Sequence, residues 1–432
     1  MLRKSLRFNW NQKQNKALLN WASKQEYCAF FDSNQLEDEF SQFSIVLAVG
    51  KKSELQINSG GAFDRLKEFR EEVQDYIFGY LSYDLKNEIF DLKSNNEDGL
   101  EFADLHFFQA ERIIAIEGES IQFLYPTDKE NQAHLDYQEL LENTISKTPS
   151  PVNKAKPSSQ IQSKLTEKQY IDRVDKLKKH IKRGDLYEAN FCQEYFIENQ
   201  EIQPLSLYRK LNKISQAPFS AFLKLSETHL ICASPERFAQ RRSDYLISQP
   251  IKGTAKRGKT KSEDKLLKEE LKTDLKERAE NVMIVDLVRN DLSQIAKKGS
   301  VNVKELCEIY SFEQVHQMIS TITAEVSEST DSVEVLKALF PMGSMTGAPK
   351  KSALKIIENL EQTKRGLYSG AVGYIKPNGD FDFNVVIRSI LYNSKNKYVS
   401  FSVGSAITDK SVPSKEFEEC LVKAQAMKTV LL

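Results

Sequence analysis

The chain is poor in cysteine, has no long apolar run and carries no excess of charge of either sign. Its cysteines, Cys28, Cys192, Cys232, Cys307 and Cys420, are scattered and odd in number, with no CxxC spacing. That excludes a zinc ribbon or a disulfide scaffold and leaves them as small core residues. None sits in a Gly-x-Cys-x-Gly turn that would expose a nucleophilic thiol, so no glutaminase site is expected in this chain. No segment approaches the ~20 consecutive apolar residues that span a bilayer, and Met1 to Trp10 holds no continuous apolar stretch. A cytoplasmic protein without a membrane partner is the expectation. Lys+Arg and Asp+Glu number 61 each, so no net field steers the protein toward nucleic acid. The one basic stretch, Lys252 to Lys268, is interrupted by Glu263 and Asp264 and reads as a solvated loop and helix.

What is present organises the chain into three parts. Residues 144–165 (T-I-S-K-T-P-S-P-V-N-K-A-K-P-S-S and onward) are rich in Pro, Ser and Lys and read as a linker or surface loop between an N-terminal region, 1–143, and a larger region, 166–432. Short β-like runs fill the first part: Tyr27 to Phe31, Phe43 to Val49, Tyr76 to Tyr83, Leu105 to Ala110, Ile113 to Ile116 and Ile121 to Tyr125. In the second, Thr166 and Gln169 form a capping box and Gly184 ends a helix. A second helix is expected from Glu263 to about Leu292, and a last one from Lys415 to Val430 with Ser414 as N-cap and Phe417, Leu421, Ala424 and Met427 inward. Strands are expected at Ser220 to Leu225, His229 to Ala233, Ala371 to Tyr374, Asn384 to Leu391 and Tyr398 to Val403. Segregated strand and helix runs favour an α+β fold over a doubly wound parallel sheet.

Four stretches can carry chemistry. Gly343-Ser-Met-Thr346-Gly347-Ala-Pro-Lys350 ahead of a helix offers free backbone N–H groups to an anion, or is simply a tight strand-to-helix turn; it lacks the Walker A spacing. Glu277 and Glu280 share a helical face, as do Glu416 and Glu419. Two such faces brought together make an all-oxygen site suited to Mg²⁺, whereas apart they are solvated glutamates beside lysines. Glu236, in Ser234-Pro-Glu-Arg-Phe238, ends an apolar strand, where a carboxyl either is buried with a raised pKa or pairs with Arg237. Arg388 stands inside a β-branched run, which is costly unless its fork grips a carboxylate. Lys252, in Pro250-Ile-Lys-Gly253-Thr254, reads by itself as a turn residue.

The ordered set SPERF, PIKGT, AEN-x-MIVDL-x-RNDL, GSMTGAPK, RGLYSGAVGY, FNVVIRSI and E-x-x-E-x-x-x-K-A resembles the chorismate-utilising enzymes, the family of anthranilate synthase component I. The match is dense from Thr166 to the C-terminus and looser before it, chiefly through Tyr80-Leu-Ser-Tyr83-Asp84. The resemblance implies one compact α+β unit of two large, mostly antiparallel sheets packed face to face, helices outside and the active site in the cleft between them. It implies that Glu280 and Glu419 ligate Mg²⁺, with Glu277 and Glu416 holding metal-bound water, and that the metal binds the ring carboxylate of chorismate. Arg388 and Tyr368 match the residues that hold the enolpyruvyl carboxylate, with Lys423 and the backbone at Gly404 closing the pocket. Gly253, Thr254, Thr346 and Gly347 belong to substrate-binding motifs.

Within the family, water-adding members carry a lysine base where this chain has Glu188, so hydration is disfavoured. Anthranilate synthases typically have alanine at the position of Lys252, and a lysine there is similar to the aminodeoxychorismate branch, on the 4-aminobenzoate route to folate. That branch implies a mechanism in which neutral Lys252, its pKa lowered, attacks the ring while Glu236 protonates the departing hydroxyl. Ammonia then displaces the lysine, supplied by a separate glutamine amidotransferase subunit. Two other readings stand beside it: anthranilate synthase component I, and a non-catalytic chorismate-binding regulatory subunit. Three positions depart from the family pattern: Gln317 where anthranilate synthases carry histidine, next to His316; Gly404-Ser-Ala406 in place of Gly-Ala-Gly; and Asn281 after the metal glutamate.

Overall fold

The computed structural model describes residues 3–36, 39–41, 43–58, 60–145, 160–313 and 315–432. Its strands form a continuous antiparallel network in which two arms part at the long strand Leu105–Glu117. Sequence periodicity divides this segment in two; it is one strand because Ile45–Ile57 pairs along its whole length. Its other edge is shared, residues 105–109 pairing with Ile77–Leu81 and residues 113–117 with Ser120–Pro126.

Two arms leave this branch. The first runs through Ile45–Ile57, Tyr27–Asp32, Phe219–Leu225, Thr228–Ser234, Ser389–Asn393 and Tyr398–Ile407 to Glu188–Ile197. The second runs through Ile77–Leu81, Ala371–Ile375, Phe381–Val385, Arg237–Arg242 and Tyr245–Gln249 to Val315–Glu325, which also holds Ile251–Lys256 and Asn302–Ser311. Strand alternation sorts the side chains. Tyr27 and Ala29 enter a core shared with Phe107 of the branch strand and with Phe78 and Phe383 of the second arm. Their neighbours Cys28 and Phe30 enter a core shared with Leu177, Leu211 and Ala424, from the helices Glu167–Arg183, Pro204–Ser215 and Pro413–Leu431. The α+β class is as expected, but in place of two separate sheets the strands form arms of one hydrogen-bonded network that share a core. In each arm strands from before the expected linker pair directly with strands from after it.

Of that linker, residues 146–159 lie outside the described residues. Its flanks are structured: the helix Glu130–Ile145 reaches into it, and Gln162–Ser163 pairs with the end of Glu188–Ile197. The capping box of Thr166 and Gln169 and the left-handed Gly184 at the other end are as expected. The helix expected over 263–292 is broken into Lys261–Thr273 and Leu275–Ser293 by Asp274, whose carboxylate accepts from the backbone N–H of Lys276 and Glu277. The break places Glu277 and Glu280 in the opening turns of a new helix. The final helix is Pro413–Leu431, starting one residue before the expected cap, because Pro413 needs no N–H partner in the first turn. Its inner face is Cys420, Ala424, Met427 and Val430, while Leu421 is 37% exposed, on the outer side.

Two crossovers join the arms. The pair Thr228–Ser234 with Ser389–Asn393 in the first arm continues as Arg237–Arg242 with Phe381–Val385 in the second. At the bend the Val385 N–H donates to Glu236 O (3.0 Å) and the Ala233 N–H to Arg388 O (3.2 Å). The strand expected over Asn384 to Leu391 is thus interrupted, and Arg388 adopts φ 51°, a left-handed conformation uncommon for a non-glycine residue. Passing from one sheet to the other requires this bend, and it sets Glu236 and Arg388 side by side between the arms.

A buried ion pair fixes the neighbouring loop. Arg365 forks onto Glu361 (2.9 and 2.7 Å) and donates to the carbonyls of Met345 and Asn190 (both 2.7 Å), while Glu361 also accepts from the Cys192 N–H (2.9 Å). It ties the 343–347 turn to the Glu188–Ile197 strand. Arg365→Ala leaves Glu361 buried and unpaired, and urea titration should show a loss of about 3–5 kcal/mol of stability.

Candidate active site

Glu188 opens a first-arm strand, Glu236 and Arg388 occupy the crossovers, and Lys252 lies on the second-arm strand Ile251–Lys256. Lys252 is thus a strand residue, not a turn residue. Its neighbour Gly253 has φ 101°, and a Cβ there would come within 3.3 Å of the Glu277 carboxylate. Only glycine accommodates both demands, and it marks a bulge where the strand's register with Val315–Glu325 shifts. Asn281 Nδ2 donates to the carbonyls of Lys252 and Met318, which anchors the bulge to the helix Leu275–Ser293.

The Lys252 ammonium lies 3.2 Å from Glu280 Oε2 and 3.9 Å from Glu188 Oε1. Burial pulls its pKa down, but the carboxylates of Glu188, Glu280 and Glu419 outweigh that and hold it above the ordinary lysine value. The expected depression is therefore reversed in this arrangement: the carboxylates around the amine stabilise its charged form. Burial raises the pKa of Glu236 to about 7, moderated by the Ser344 hydroxyl, which donates to Oε1 at 2.7 Å, and by Lys252 and Arg388.

The four glutamates Glu280, Glu416, Glu277 and Glu419 all act electrostatically on the Lys276 ammonium. Glu280 also lies 3.7 Å from Lys276, Glu419 pairs with Lys423 at 2.7 Å, and Glu416 accepts from the Ser405 hydroxyl. Burial raises Glu277; it also pushes Glu419 up, but Lys423, Lys252 and Lys276 bring that residue below the usual range. Among the described residues no three carboxylate, imidazole or thiol groups are gathered closely enough to hold a metal ion. Lysine ammonium groups lie against these carboxylates instead. The donor chemistry, oxygen only and anionic, fits a hard divalent cation.

On the substrate side, the Arg388 guanidinium makes no hydrogen bond or ion pair among the described residues, and burial lowers its pKa. Tyr368 is buried with its hydroxyl 3.9 Å from Cys192 Sγ. Lys423 donates to Gly404 O at 2.9 Å, and a Cβ on Gly404 would meet Cys192 Sγ at 2.5 Å. Gly347 pairs with Ala189 so closely that a Cβ would lie 2.1 Å from Glu188 O. Part of the 343–347 turn is thus consumed as a sheet edge, and the Thr346 hydroxyl turns back onto the carbonyls of Met342 and Gly343. Thr254 pairs with Gln317.

Two residues in the expected imidazole region part company. His316 is held by Asp264 (3.1 Å) and Ser311 (2.9 Å) on the side of the helix Lys261–Thr273, a structural setting. Gln317 is buried, and neither amide atom has a hydrogen-bond partner among the described residues. Sequence reasoning missed Ser344, Glu361 and Arg365. The serine sits inside a motif read as backbone alone, and Glu361 and Arg365 pair at i,i+4 spacing just beyond a helix, where no periodicity marks them.

Residues 11–429 match the chorismate binding enzyme family. The chain is 33% identical over 367 residues to aminodeoxychorismate synthase component 1 of Bacillus subtilis (strain 168), covering 83% of this chain and 77% of that protein. It is also 33% identical over 363 residues to anthranilate synthase component 1 of Aquifex aeolicus (strain VF5), covering 81% and 73%. Its structure resembles that of anthranilate synthase component I from Streptococcus pneumoniae TIGR4, with a TM-score of 0.76, 25% identity and coverage of 91% and 93%. The fold is shared with the isochorismate synthase MenF of Escherichia coli, at a TM-score of 0.76, 16% identity and coverage of 100% and 95%. The chain belongs to the chorismate-utilising enzymes, and its α+β fold is theirs.

The raised Glu236 carries a sign that can be measured. The folded state holds a proton that the unfolded chain releases near its ordinary value of 4.5, so stability falls as pH rises from there through about 7. Glu236→Gln removes the buried charge. Thermal unfolding should show the variant more stable than wild type at pH 8 and by a smaller margin at pH 5, while turnover falls by roughly 10²–10⁴-fold.

Proposed function

We propose that the protein is component I of an aminodeoxychorismate synthase, converting chorismate and ammonia into 4-amino-4-deoxychorismate in the cytoplasm, on the route to 4-aminobenzoate and folate. The observation that carries this reading is the placement of Lys252, a primary amine in the cleft, flanked by Glu188 and Glu280 and within electrostatic reach of Glu236. The unpartnered Arg388 fork supports an anionic substrate, because a guanidinium between two sheets is stabilised once a carboxylate pairs with it.

In this reading Arg388 and Tyr368 orient the enolpyruvyl carboxylate, and Lys423 with the Gly404 backbone closes the pocket. Gly253, Thr254, Thr346 and Gly347 bring main chain close to the ring. Glu236, half-protonated near neutral pH, gives its proton to the departing C4 hydroxyl as the Lys252 amine bonds to C2. Splitting the substitution this way replaces one difficult displacement by two easier ones. Glu280 and Glu419, with Glu277 and Glu416 beside them, would hold Mg²⁺, which when bound neutralises and orients the ring carboxylate. Ammonia comes from a separate glutamine amidotransferase, as the component I naming of the relatives suggests.

Anthranilate synthase component I is the second reading, supported by relatives of equal identity. The two differ in product: incubation with chorismate, Mg²⁺ and ammonium should yield 4-amino-4-deoxychorismate without releasing pyruvate. Fluorescent anthranilate with stoichiometric pyruvate would instead establish the second reading. Chorismate binding with no turnover in excess ammonium would establish a regulatory subunit.

A further inference from the structure

Glu236 is fixed by its own backbone, and a single side chain reaches its carboxyl from the neighbouring turn. Its N–H donates to Ser234 Oγ (3.2 Å) and its carbonyl accepts from the Val385 N–H (3.0 Å), which holds the residue at the bend between the arms. From the 343–347 turn the Ser344 hydroxyl donates to Oε1 at 2.7 Å. Among the described residues no other hydrogen bond reaches this carboxyl.

The turn does not need that hydroxyl. Its carbonyls are engaged one by one: Met342 O by the Met345 N–H and Gly343 O by the Thr346 N–H (both 3.1 Å), then Ser344 O by Asn190 Nδ2 (3.2 Å). Arg365 takes Met345 O (2.7 Å) and the Asn190 N–H takes Thr346 O (2.8 Å). Main-chain contacts therefore set where Ser344 Oγ lies. Along residues 341–348 Ser344 is also the one position that is not buried, whereas Glu236 is 5% exposed.

The chemistry of a carboxylic acid then distinguishes its two oxygens. With Oε1 accepting from a hydroxyl as the carbonyl oxygen, the acid proton resides on Oε2. Once that proton has left, the same O–H donates to a carboxylate, a charge-assisted and stronger bond. An interaction that strengthens as the proton departs lowers the barrier to its departure. Resting on the acid role given to Glu236 above, we propose that Ser344 is a positioning residue for loss of the C4 hydroxyl, confining the transferable proton of Glu236 to Oε2 and stabilising the carboxylate left behind. In that step the Oε2–H bond breaks and the proton bonds to the C4 oxygen. The C4–O bond breaks with its electron pair on oxygen, and water leaves. Ser344 keeps its own proton throughout. The nitrogen that later adds at C4 returns a proton to Oε2, which restores the acid.

Two charged groups act on Glu236, Lys252 from the strand Ile251–Lys256 and Arg388 from the facing crossover, and both favour its ionised form, as Ser344 does. Turnover that needs the protonated acid falls as pH rises through about 7, and removing the Ser344 donor moves that fall to higher pH.

The test compares Ser344→Ala and Ser344→Thr with wild type, using the full-length protein with chorismate, Mg²⁺ and a constant concentration of free ammonia across pH. In Ser344→Ala, kcat for chorismate consumption should fall by about 10- to 100-fold through loss of one hydrogen bond to a charged group, and the alkaline limb of kcat/KM should move up. The C=O stretch of protonated Glu236, identified in infrared difference spectra by its absence from Glu236→Gln, should rise when its oxygen loses the hydrogen bond. Ser344→Thr should restore the limb and the stretch. Chorismate affinity by calorimetry should stay within about threefold of wild type in both variants, which separates loss of transition-state stabilisation from loss of binding. A Ser344→Ala kcat within about threefold of wild type, or an unmoved limb and stretch, would overturn the proposal alone. Parallel loss of turnover and binding that threonine does not rescue would overturn it in favour of a structural role. A wild type that leaves chorismate unconsumed, or a Glu236→Gln variant that turns over like wild type, would overturn the reading beneath it as well.

Discussion

The charge balance around one amine organises the cleft. Lys252 projects from a glycine-marked bulge into a space shared by Glu188 and Glu280, with Glu419 and Glu236 acting on it from farther off. Carboxylates collected this closely repel one another, and without a cation among them the strand ends and helix faces that present them would be forced apart. As the structure stands, lysines meet that requirement: Lys252, Lys276 and Lys423 each lie against one of the glutamates. A divalent ion between Glu280 and Glu419 would take over part of that role and loosen the hold on Lys252. On the proposed reading the amine and a bound metal would compete for the same negative charge.

The fold supplies that balance by bringing two sheet arms together at their crossovers. Glu236 and Arg388 stand at opposite kinks of one two-stranded ribbon, which is why an acid and an unpaired guanidinium come within electrostatic reach of each other. Arg365 and Glu361 lock the adjoining turn to the strand that begins at Glu188, so the serine that tunes Glu236 and the carboxylate beside Lys252 are positioned by the same buried ion pair. Stability and chemistry share residues here.

Much of this was legible in the sequence where a local rule applies. The Thr166 capping box, the Gly184 helix end and the alternating strands from Tyr27 onward depend on a few neighbouring residues, and they fold as read. The glutamate after an apolar strand was legible only as one of two alternatives, a buried acid or a partner of Arg237, and the fold buries it. What escaped depends on tertiary demands. The helix break at Asp274 was hidden because the flanking sequence is helical on both sides and only the cap hydrogen bonds reveal the restart. Arg388 read as a strand residue because the need to bend between sheets leaves no mark on a β-branched run. The lysine's pKa was expected in the wrong direction: which carboxylates surround it depends on a strand end and two helices brought in from elsewhere in the chain, and their summed charge outweighs desolvation. His316 and Gln317 are adjacent in sequence, yet strand alternation turns one toward Asp264 and leaves the other with an unpartnered amide.

The central claim is that Lys252 is a nucleophile and not a structural counter-ion to the glutamates. Peptide mapping by mass spectrometry after mixing the protein with chorismate and Mg²⁺, without ammonia, tests it most directly. The account predicts a chorismate-derived adduct, less the mass of water, on the peptide containing Lys252, absent from Lys252→Ala. An unmodified Lys252 in a protein that nonetheless aminates chorismate when ammonia is supplied would contradict it.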